Sequence, residues 1–358
     1  MNMTKKLALS IASAAILFFF NCKSPTGPGS GGTPIEPETT PTVYVGGYRN
    51  DGIRDVAVYW VCDEDSTSYV ELQPGVIGEV TDIHVDNDDV LCAVGWYISG
   101  STENAAYWCD GLLTTLETDS RATGMYVTDA GVTYVSGHYN DGSNNVAAYW
   151  VVDGGTVSCQ NLYTTSNASA TDIFVDGDGV VYTSGFFNNG SHDVAVYWTQ
   201  TGGTLSTEIL YSTGFAQAMG VVLDGAGIEN VAGVYLDGSI QAALWRSDSA
   251  GLISLNISDA LCRAASIVND TVYVVGDFAD SSIRRSAVWD GVSEQLLPMS
   301  DGASAAYAYG AHGHDGVLYV AGSNITGGEE FAVYWRGTQL VHFAGTVRSR
   351  ANAVYVRS

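Results

Sequence analysis

Carboxylates dominate the reactive side chains of this chain: 39 Asp and Glu residues stand beside six His and six Cys in 358 residues. Paired acids for general acid–base work cannot be singled out among so many. Two Asp-rich stretches, Asp86-Asn87-Asp88-Asp89 and Asp176-Gly177-Asp178-Gly179, supply the oxygen ligands that calcium takes in sixes to eights. Neither completes an EF-hand loop, and Asp-Gly turns have a backbone reason of their own. Calcium is the one cofactor the sequence offers. No G-x-S-x-G elbow and no phosphate-binding loop occurs. His84, His138, His192, His312, His314 and His342 fall in no nucleophile or metal motif. His312-Gly313-His314-Asp315 is the one local group, and it sits where a strand is expected to end in a hairpin turn.

The cysteines show no zinc spacing. Cys22 follows an apolar run, which leaves Cys62, Cys92, Cys109, Cys159 and Cys262. Cys62 and Cys109 each lie close behind a Tyr-Trp pair and are candidates for a bridge, with buried free thiols as the alternative.

A second set of residues suits binding rather than catalysis. Tyr48, Trp96, His138 and Phe186 each follow a recurring Gly. The next position holds Tyr97, Tyr139, Phe187, Tyr235 and Phe278. Aromatic rings in such a series, with Asp and Asn nearby, suit a sugar or a protein partner; packing between repeats is the other role they fit.

These positions belong to a repeat. Gly47, Gly95, Gly137, Gly185, Gly233, Gly276 and Gly322 lead to Trp60, Trp108, Trp150, Trp198, Trp245, Trp289 and Trp335, with an interval of 13 in all but the fifth unit, where it is 12. Successive glycines are 42 to 48 residues apart, a period that signals a repeat architecture. Each unit divides into four strands. The first is clearest as Ala170–Val175, with counterparts starting at Val80, Ala122, Ala218, Ala264 and Ala308. A short turn such as Asp176–Gly179 follows, then the strand ending at the Gly, then the strand carrying Tyr-Trp. A fourth strand ends near Leu72, Leu116, Leu162, Leu210, Leu255, Leu297 or Phe343. Three positions before each Trp stands Ala57, Ala105, Ala147, Ala195, Ala242, Ser286 or Ala332, always small. Alternation puts this residue and the Tyr on one face and the Trp on the other, as stacked sheets require.

Residues 43–358 therefore predict an all-β, seven-bladed β-propeller of four-stranded blades. The stretch at Thr42–Val45 reads as a second strand and Ala351–Val356 as a first, so the C-terminal strand is expected to close the ring and remove two open edges. The repeat is similar to the Tyr-Trp repeats of uncharacterised exported bacterial propeller-like proteins and to the HAF extracellular repeat. That resemblance is specific for the repeat and uninformative about activity. Kelch propellers are a more distant likeness, matched only at Gly46-Gly47.

Residues 1–21 have the layout of an export signal: Lys5-Lys6, then an apolar run from Leu7 to Phe20. The run is too short to cross a bilayer, which takes about 20 residues. Phe19-Phe20-Asn21-Cys22 resembles the lipobox of bacterial lipoproteins, with Asn21 where a small residue is usual. The resemblance implies acylation of Cys22 and attachment at the outer membrane or cell surface. Residues 22–42 hold five of the seven prolines and read as a tether.

Without Lys5 and Lys6 the chain has 12 basic against 39 acidic residues, a net −27. Such a surface repels phosphate backbones, which excludes nucleic acid as a partner. The expectation is a monomeric envelope lipoprotein that binds a protein or glycan without chemistry of its own. A glycan-active enzyme assembling its residues from several blades is the alternative, and a structural part in envelope assembly a third.

Overall fold

A computed structural model describes residues 40–63, 66–86, 88–248, 251–343 and 347–358. The export signal, nearly all the tether and Cys22 lie outside them. Every described element is a strand. β1 (Thr42–Asn50), β2 (Asp55–Cys62) and β3 (Thr67–Glu71) come first. β4 (Gly78–Val85), β5 (Leu91–Ser99), β6 (Thr102–Cys109) and β7 (Leu112–Thr118) form one antiparallel sheet. β8 (Ser120–Val127), β9 (Thr133–Asn140), β10 (Asn145–Asp153) and β11 (Thr156–Tyr163) form the next. β12 (Ala168–Val175), β13 (Val181–Asn188), β14 (Asp193–Thr201) and β15 (Thr204–Tyr211) repeat the order. So do β16 (Ala216–Leu223), β17 (Glu229–Asp237), β18 (Ser239–Arg246) and β19 (Leu252–Ser258). Then come β20 (Ala260–Val268), β21 (Thr271–Asp280), β22 (Ile283–Trp289) and β23 (Glu294–Leu296), followed by β24 (Ala303–His314), β25 (Val317–Thr326), β26 (Glu329–Arg336) and β27 (Gln339–His342). β28 (Ser349–Arg357) pairs antiparallel with β1, so the first and last strands share the sheet β28-β1-β2-β3. The arrangement is an all-β propeller.

Where seven separate four-stranded sheets were expected, five are found, with one sheet of eight strands. A single parallel bridge, Arg284 to Ala305, joins β22 to β24 and merges β20–β23 with β24–β27.

The Gly-to-Trp interval follows from hairpin geometry. Gly185 pairs with Val196, and Trp198 stands two positions further along the same strand. Its ring crosses the glycine so closely that a Cβ at Gly185 would lie 2.6 Å from Trp198 Cζ3 and 2.2 Å from the Ser169 carbonyl oxygen. In the unit with the shorter interval, only Gly238 separates the paired residues Asp237 and Ser239, so the turn is tighter.

All seven repeat Trp residues are buried. They fill seven apolar clusters, each made by the Trp face of one unit against the small-residue face of the unit before it. Trp198 and Val196 pack on Ala147 and Tyr149, for example, and Trp60 and Val58 on Ala332 and Tyr334. Even within the eight-stranded sheet, Trp335 and Val333 close on Val275 and Val288. Burying a Trp removes about 150–250 Å² from water, worth roughly 4–6 kcal/mol at about 25 cal/mol per Å² before entropy is counted.

Two sequence expectations are corrected. The partner of Gly276 is Cys262, so the sixth first strand matches the others at Cys262 rather than Ala264. The bridge is not Cys62 with Cys109. Cys92 and Cys109 stand directly opposite on β5 and β6 and form the disulfide; Cys62 and Cys262 are buried thiols and Cys159 an exposed one.

Candidate functional site

The seven first strands β28, β4, β8, β12, β16, β20 and β24 line a central cavity. Their pattern explains how. In β4, Val80, Ile83 and Val85 are buried, while Glu79, Thr81, Asp82 and His84 are partly open. A register shift between Val80 and Asp82 marks a bulge. A bulge sets two residues against one on the partner strand, so both Thr81 and Asp82 reach the cavity. The same shift occurs at Ala122/Gly124, Ala170/Asp172, Ala218/Gly220, Cys262/Ala264 and Ala308/Gly310. In the closing strand it falls where Gly46 and Gly47 meet Ala353 and Ala351.

The extra residue of each bulge is Thr81, Thr123, Thr171, Met219, Arg263, Tyr309 or Asn352. Four of them fasten neighbouring units. Thr81 donates to the Ala122 carbonyl at 3.1 Å, Thr123 to Ala170 at 3.0 Å and Thr171 to Ala218 at 2.9 Å. Asn352 donates to the Val80 carbonyl at 2.8 Å and so ties the last strand to the second unit.

Beside them stand Asp82 and Asp172, each bridging to the following unit. Asp82 accepts the Met125 N–H at 2.8 Å and Asp172 the Val221 N–H at 2.9 Å. Gly124 and Gly220 occupy the matching bulge position in those units. Burial pushes the Asp82 carboxyl up to about 7, the Asp172 charge adding to it and the Met125 and Ile83 N–H groups opposing. Burial likewise raises Asp172 to about 6 against the N–H groups of Val221 and Ile173.

The mouth of the channel lies at the end where second strands turn into third strands. Backbone bonds such as Asn188 N–H to Asn167 and Asn140 N–H to Asp119 place the connections between units at this same end. Here Glu330 accepts the Arg350 fork, Nε at 2.8 Å and Nη2 at 3.1 Å, together with Ser323 and Tyr48 hydroxyls at 2.7 Å. Burial works against its ionisation, but these donors hold the carboxyl below its usual range. Asp277, fully buried, takes Arg263 Nε at 2.8 Å and Arg284 Nε. The Tyr309 ring carries the guanidiniums of both Arg263 and Arg350 at 5.0 Å. Arg121 lies 4.7 Å over Trp96 and is held by Glu103.

The expected aromatic series divides between two surroundings. Tyr48, itself buried, lies under Arg348 and Arg350, and Trp96 lies under Arg121. His138 meets the Ser169 hydroxyl at 3.0 Å, and burial lowers its pKa. Phe186 is half-buried. Tyr97, Tyr139, Phe187, Tyr235 and Phe278 instead pack into the clusters between units. Phe187 stacks on Tyr163 at 4.5 Å and Tyr235 meets Tyr211 at 5.1 Å. Sequence reasoning missed Asp82, Asp172, Arg263, Tyr309, Glu330 and Arg350. The signal was present: the residues just after the small residue of each first strand are polar in most units.

At the opposite end, Asp86 and Asp176 cap their own turns. Asp86 Oδ1 accepts Asp88 and Val90 N–H, both at 2.9 Å, and Asp176 Oδ1 accepts Asp178 and Val180 N–H at 3.0 and 2.8 Å. His312 sits inside β24, two residues before its end, rather than in a turn; its ring lies 4.5 Å from Tyr355, and burial with His314 and His84 nearby lowers its pKa to about 4. Asp315 and Gly316, both at positive φ, make that turn.

No protein-family model and no curated protein matches the chain. Solved structures do. The β-propeller domain of the Trilobed protease from Pyrococcus furiosus, described as having an open velcro topology, is similar over 87 % of this chain and 96 % of its own, at 9 % identity and TM-score 0.53. A prolyl endopeptidase structure is similar over 89 % of this chain at 12 % identity and TM-score 0.53, this chain spanning half of its length. These likenesses show the fold alone. The chain is a β-propeller protein, and in it, unlike an open ring, the last strand pairs with the first.

Proposed function

We propose that this chain is a seven-bladed propeller lipoprotein of the cell envelope that binds a partner at the mouth of its channel, without chemistry of its own. The seven-unit count rests on treating the eight-stranded sheet as two blades, because the two halves enclose an apolar cluster of their own and share a single bridge. Export and anchoring rest on the leader and Cys22, with the Cys92–Cys109 disulfide in keeping with an oxidising compartment.

One observation carries the binding reading. In a chain of net charge −25, eight of eleven arginines gather at the mouth end: Arg49, Arg54, Arg121, Arg263, Arg284, Arg285, Arg348 and Arg350. Several lie over exposed or half-buried rings, Arg49 on Tyr69 and Arg121 on Trp96 among them. All of these arginines but Arg54 pair with carboxylates of this chain, so an anionic partner shares those arginines with the acids that hold them. Arg and aromatic side chains are the residues that carry binding energy at interfaces, and this set suits a glycan or protein presenting carboxylates or sulfates.

The test is binding of the full-length chain, in detergent, to a polyuronate, with dextran as the neutral control. Saturable, salt-sensitive binding to the polyuronate that falls at least about tenfold in a folded Trp96→Ala/Arg121→Ala double variant supports the glycan form. If only an envelope protein is retained, and retention falls in the same variant, the partner is a protein. Retention unaffected by the double variant removes the mouth as the binding face. Cleavage of the polyuronate, lost in Glu330→Gln at the mouth, moves the reading to a glycan-active enzyme. For the anchor, mass spectrometry is expected to find the acyl chains on Cys22, and Cys22→Ala to move the protein to the soluble fraction.

A further inference from the structure

We propose that the channel cavity is a separate site for a small zwitterion, a molecule of amino-acid size whose carboxylate meets Arg263 and whose ammonium meets Asp82 and Asp172. The cavity measures about 130 Å³. That is well below the roughly 300–1,000 Å³ of pockets for drug-sized ligands, so a glycan chain does not fit inside. The site does not rest on the mouth-binding reading.

The two walls carry opposite charge. On one, Asp82 and Asp172 are clamped by backbone donors, Ile83 and Met125 N–H at 2.8 Å and Ile173 and Val221 N–H at 2.8 and 2.9 Å. Among the described residues neither has an ion-pair partner. Clamped carboxylates are already oriented, so little ordering is needed when a cation arrives. The Thr81, Thr123 and Thr171 hydroxyls donate to backbone carbonyls; Thr123 and Thr171 accept the Ser136 and Ser184 hydroxyls, which leaves each with one lone pair for a further donor.

On the other wall Arg263 is held by Asp277 through Nε and by the Tyr309 ring, while its two Nη atoms bond to no described residue. Arg284 shares the same Asp277 carboxylate. Two guanidiniums on one carboxylate leave a net positive charge at the cavity wall. A planar fork with unused donors suits a carboxylate.

Proton linkage follows. The ammonium pairs with ionised carboxylates, and burial pushes Asp82 up to about 7 and Asp172 to about 6. Affinity therefore rises between about pH 5.5 and 8 as these protons leave. Arg263 and Tyr309 share the cavity lining with them, and the first strands around it also carry Glu79 and His84 on β4, Arg121 and Tyr126 on β8, His312 on β24, and Arg350 and Tyr355 on β28. Burial lowers the pKa of both His84 and His312, the latter to about 4, so neither gains a proton in that window.

Calorimetric titration of the full-length chain with alanine, serine and lysine tests this, each compared with its desamino acid and its amide. At least one amino acid is expected to saturate the site. Loss of either its ammonium or its carboxylate is expected to weaken binding about tenfold or more, and raising pH from about 5.5 to 8 to tighten it at least threefold. Asp172→Asn and Arg263→Gln are each expected to lose tenfold or more. Equal binding of propionate and alanine, no pH dependence, or no heat from any amino acid at about 10 mM overturns the proposal. The analogue and pH series use the unaltered protein, so they stand even where a variant fails to fold. Polyuronate binding measured in parallel reports the mouth alone, so either reading can fail without the other.

Discussion

Gly185 and Asp172 show opposite ways in which one residue can be fixed by its neighbours. Gly185 is held by space: an added Cβ would meet the Ser169 carbonyl oxygen at 2.2 Å and the Trp198 ring at 2.6 Å. Neither the ladder carbonyl nor a buried Trp can yield cheaply. Gly185→Ala is expected to lower stability by about 3 kcal/mol, read from urea unfolding. Gly177→Ala, where nothing lies within 4 Å of the new Cβ and φ is ordinary, serves as the control with little change. Asp172 is held by charge. Its folded pKa is raised from 3.8 to about 6, chiefly by burial. The folded state thus holds the proton more tightly than the unfolded one. The stability this contributes is fully present below about pH 3.8 and is lost as pH rises through 6. A neutral amide in place of the carboxyl has no such loss. Asp172→Asn is therefore expected to be less favourable at pH 4 than at pH 7.5 relative to the unaltered chain, and equal differences in unfolding free energy at the two pH values would contradict it.

At the scale of the strand, the bulge is the device that matters. A regular first strand would turn alternate residues to the cavity and bury the rest. One extra residue places two adjacent polar side chains there, Thr171 with Asp172, and frees the Thr hydroxyl to reach the Ala218 carbonyl of the next sheet. Thr171→Val keeps the shape and removes that bond, and is expected to cost about 1–2 kcal/mol, because the carbonyl loses one donor in a half-buried place. The same change in Thr123 is expected to match it. Chemical denaturation of both variants checks this, and a loss only at Thr171 would mean that the cavity, not the fastening, sets the cost. Met219, Arg263 and Tyr309 break this fastening series. At those three strands side chains are released from holding sheets together, and two of them face each other as the Arg263–Tyr309 pair in the wall of the cavity.

For the whole molecule, closure depends on β28. It pairs with β1 from Thr42–Arg357 to Arg49–Ser349, and its Asn352 reaches Glu79 and the Val80 carbonyl of the following sheet. Ending the chain after Arg348 would expose the edge of β1 and open the cluster around Trp60, Ala351 and Val354. Open, apolar strand edges pair with other chains. The shortened chain is expected to lose its single cooperative unfolding transition and to form large species in size-exclusion chromatography; a monomer with an unchanged transition would show that the other sheets hold the ring without it. Charge is also organised at this scale. The mouth end gathers arginine–carboxylate pairs such as Arg121–Glu103, Arg348–Asp55 and Arg350–Glu330, while the turns at the other end hold Asp86, Asp88, Asp89, Asp176, Asp178 and Asp224.

The sequence alone determined the repeat, its four-strand plan, the burial of the Tyr-Trp strand and the pairing of the last strand with the first. Each of these is local: it follows from alternation, turn residues and a fixed Gly-to-Trp interval, which the hairpin itself enforces. The tertiary structure alone decided which residues meet across units. Trp96 and Tyr97 are neighbours in sequence, yet one lies under Arg121 and the other packs between sheets, because adjacent strand residues point to opposite faces. Asp82 and Asp172 are 90 positions apart, and Arg263 and Tyr309 lie on different first strands, β20 and β24. No linear spacing brings them to one cavity. The bulges do so by shifting the register of each first strand, and closing the sheets around a common centre turns seven separate shifts into one wall.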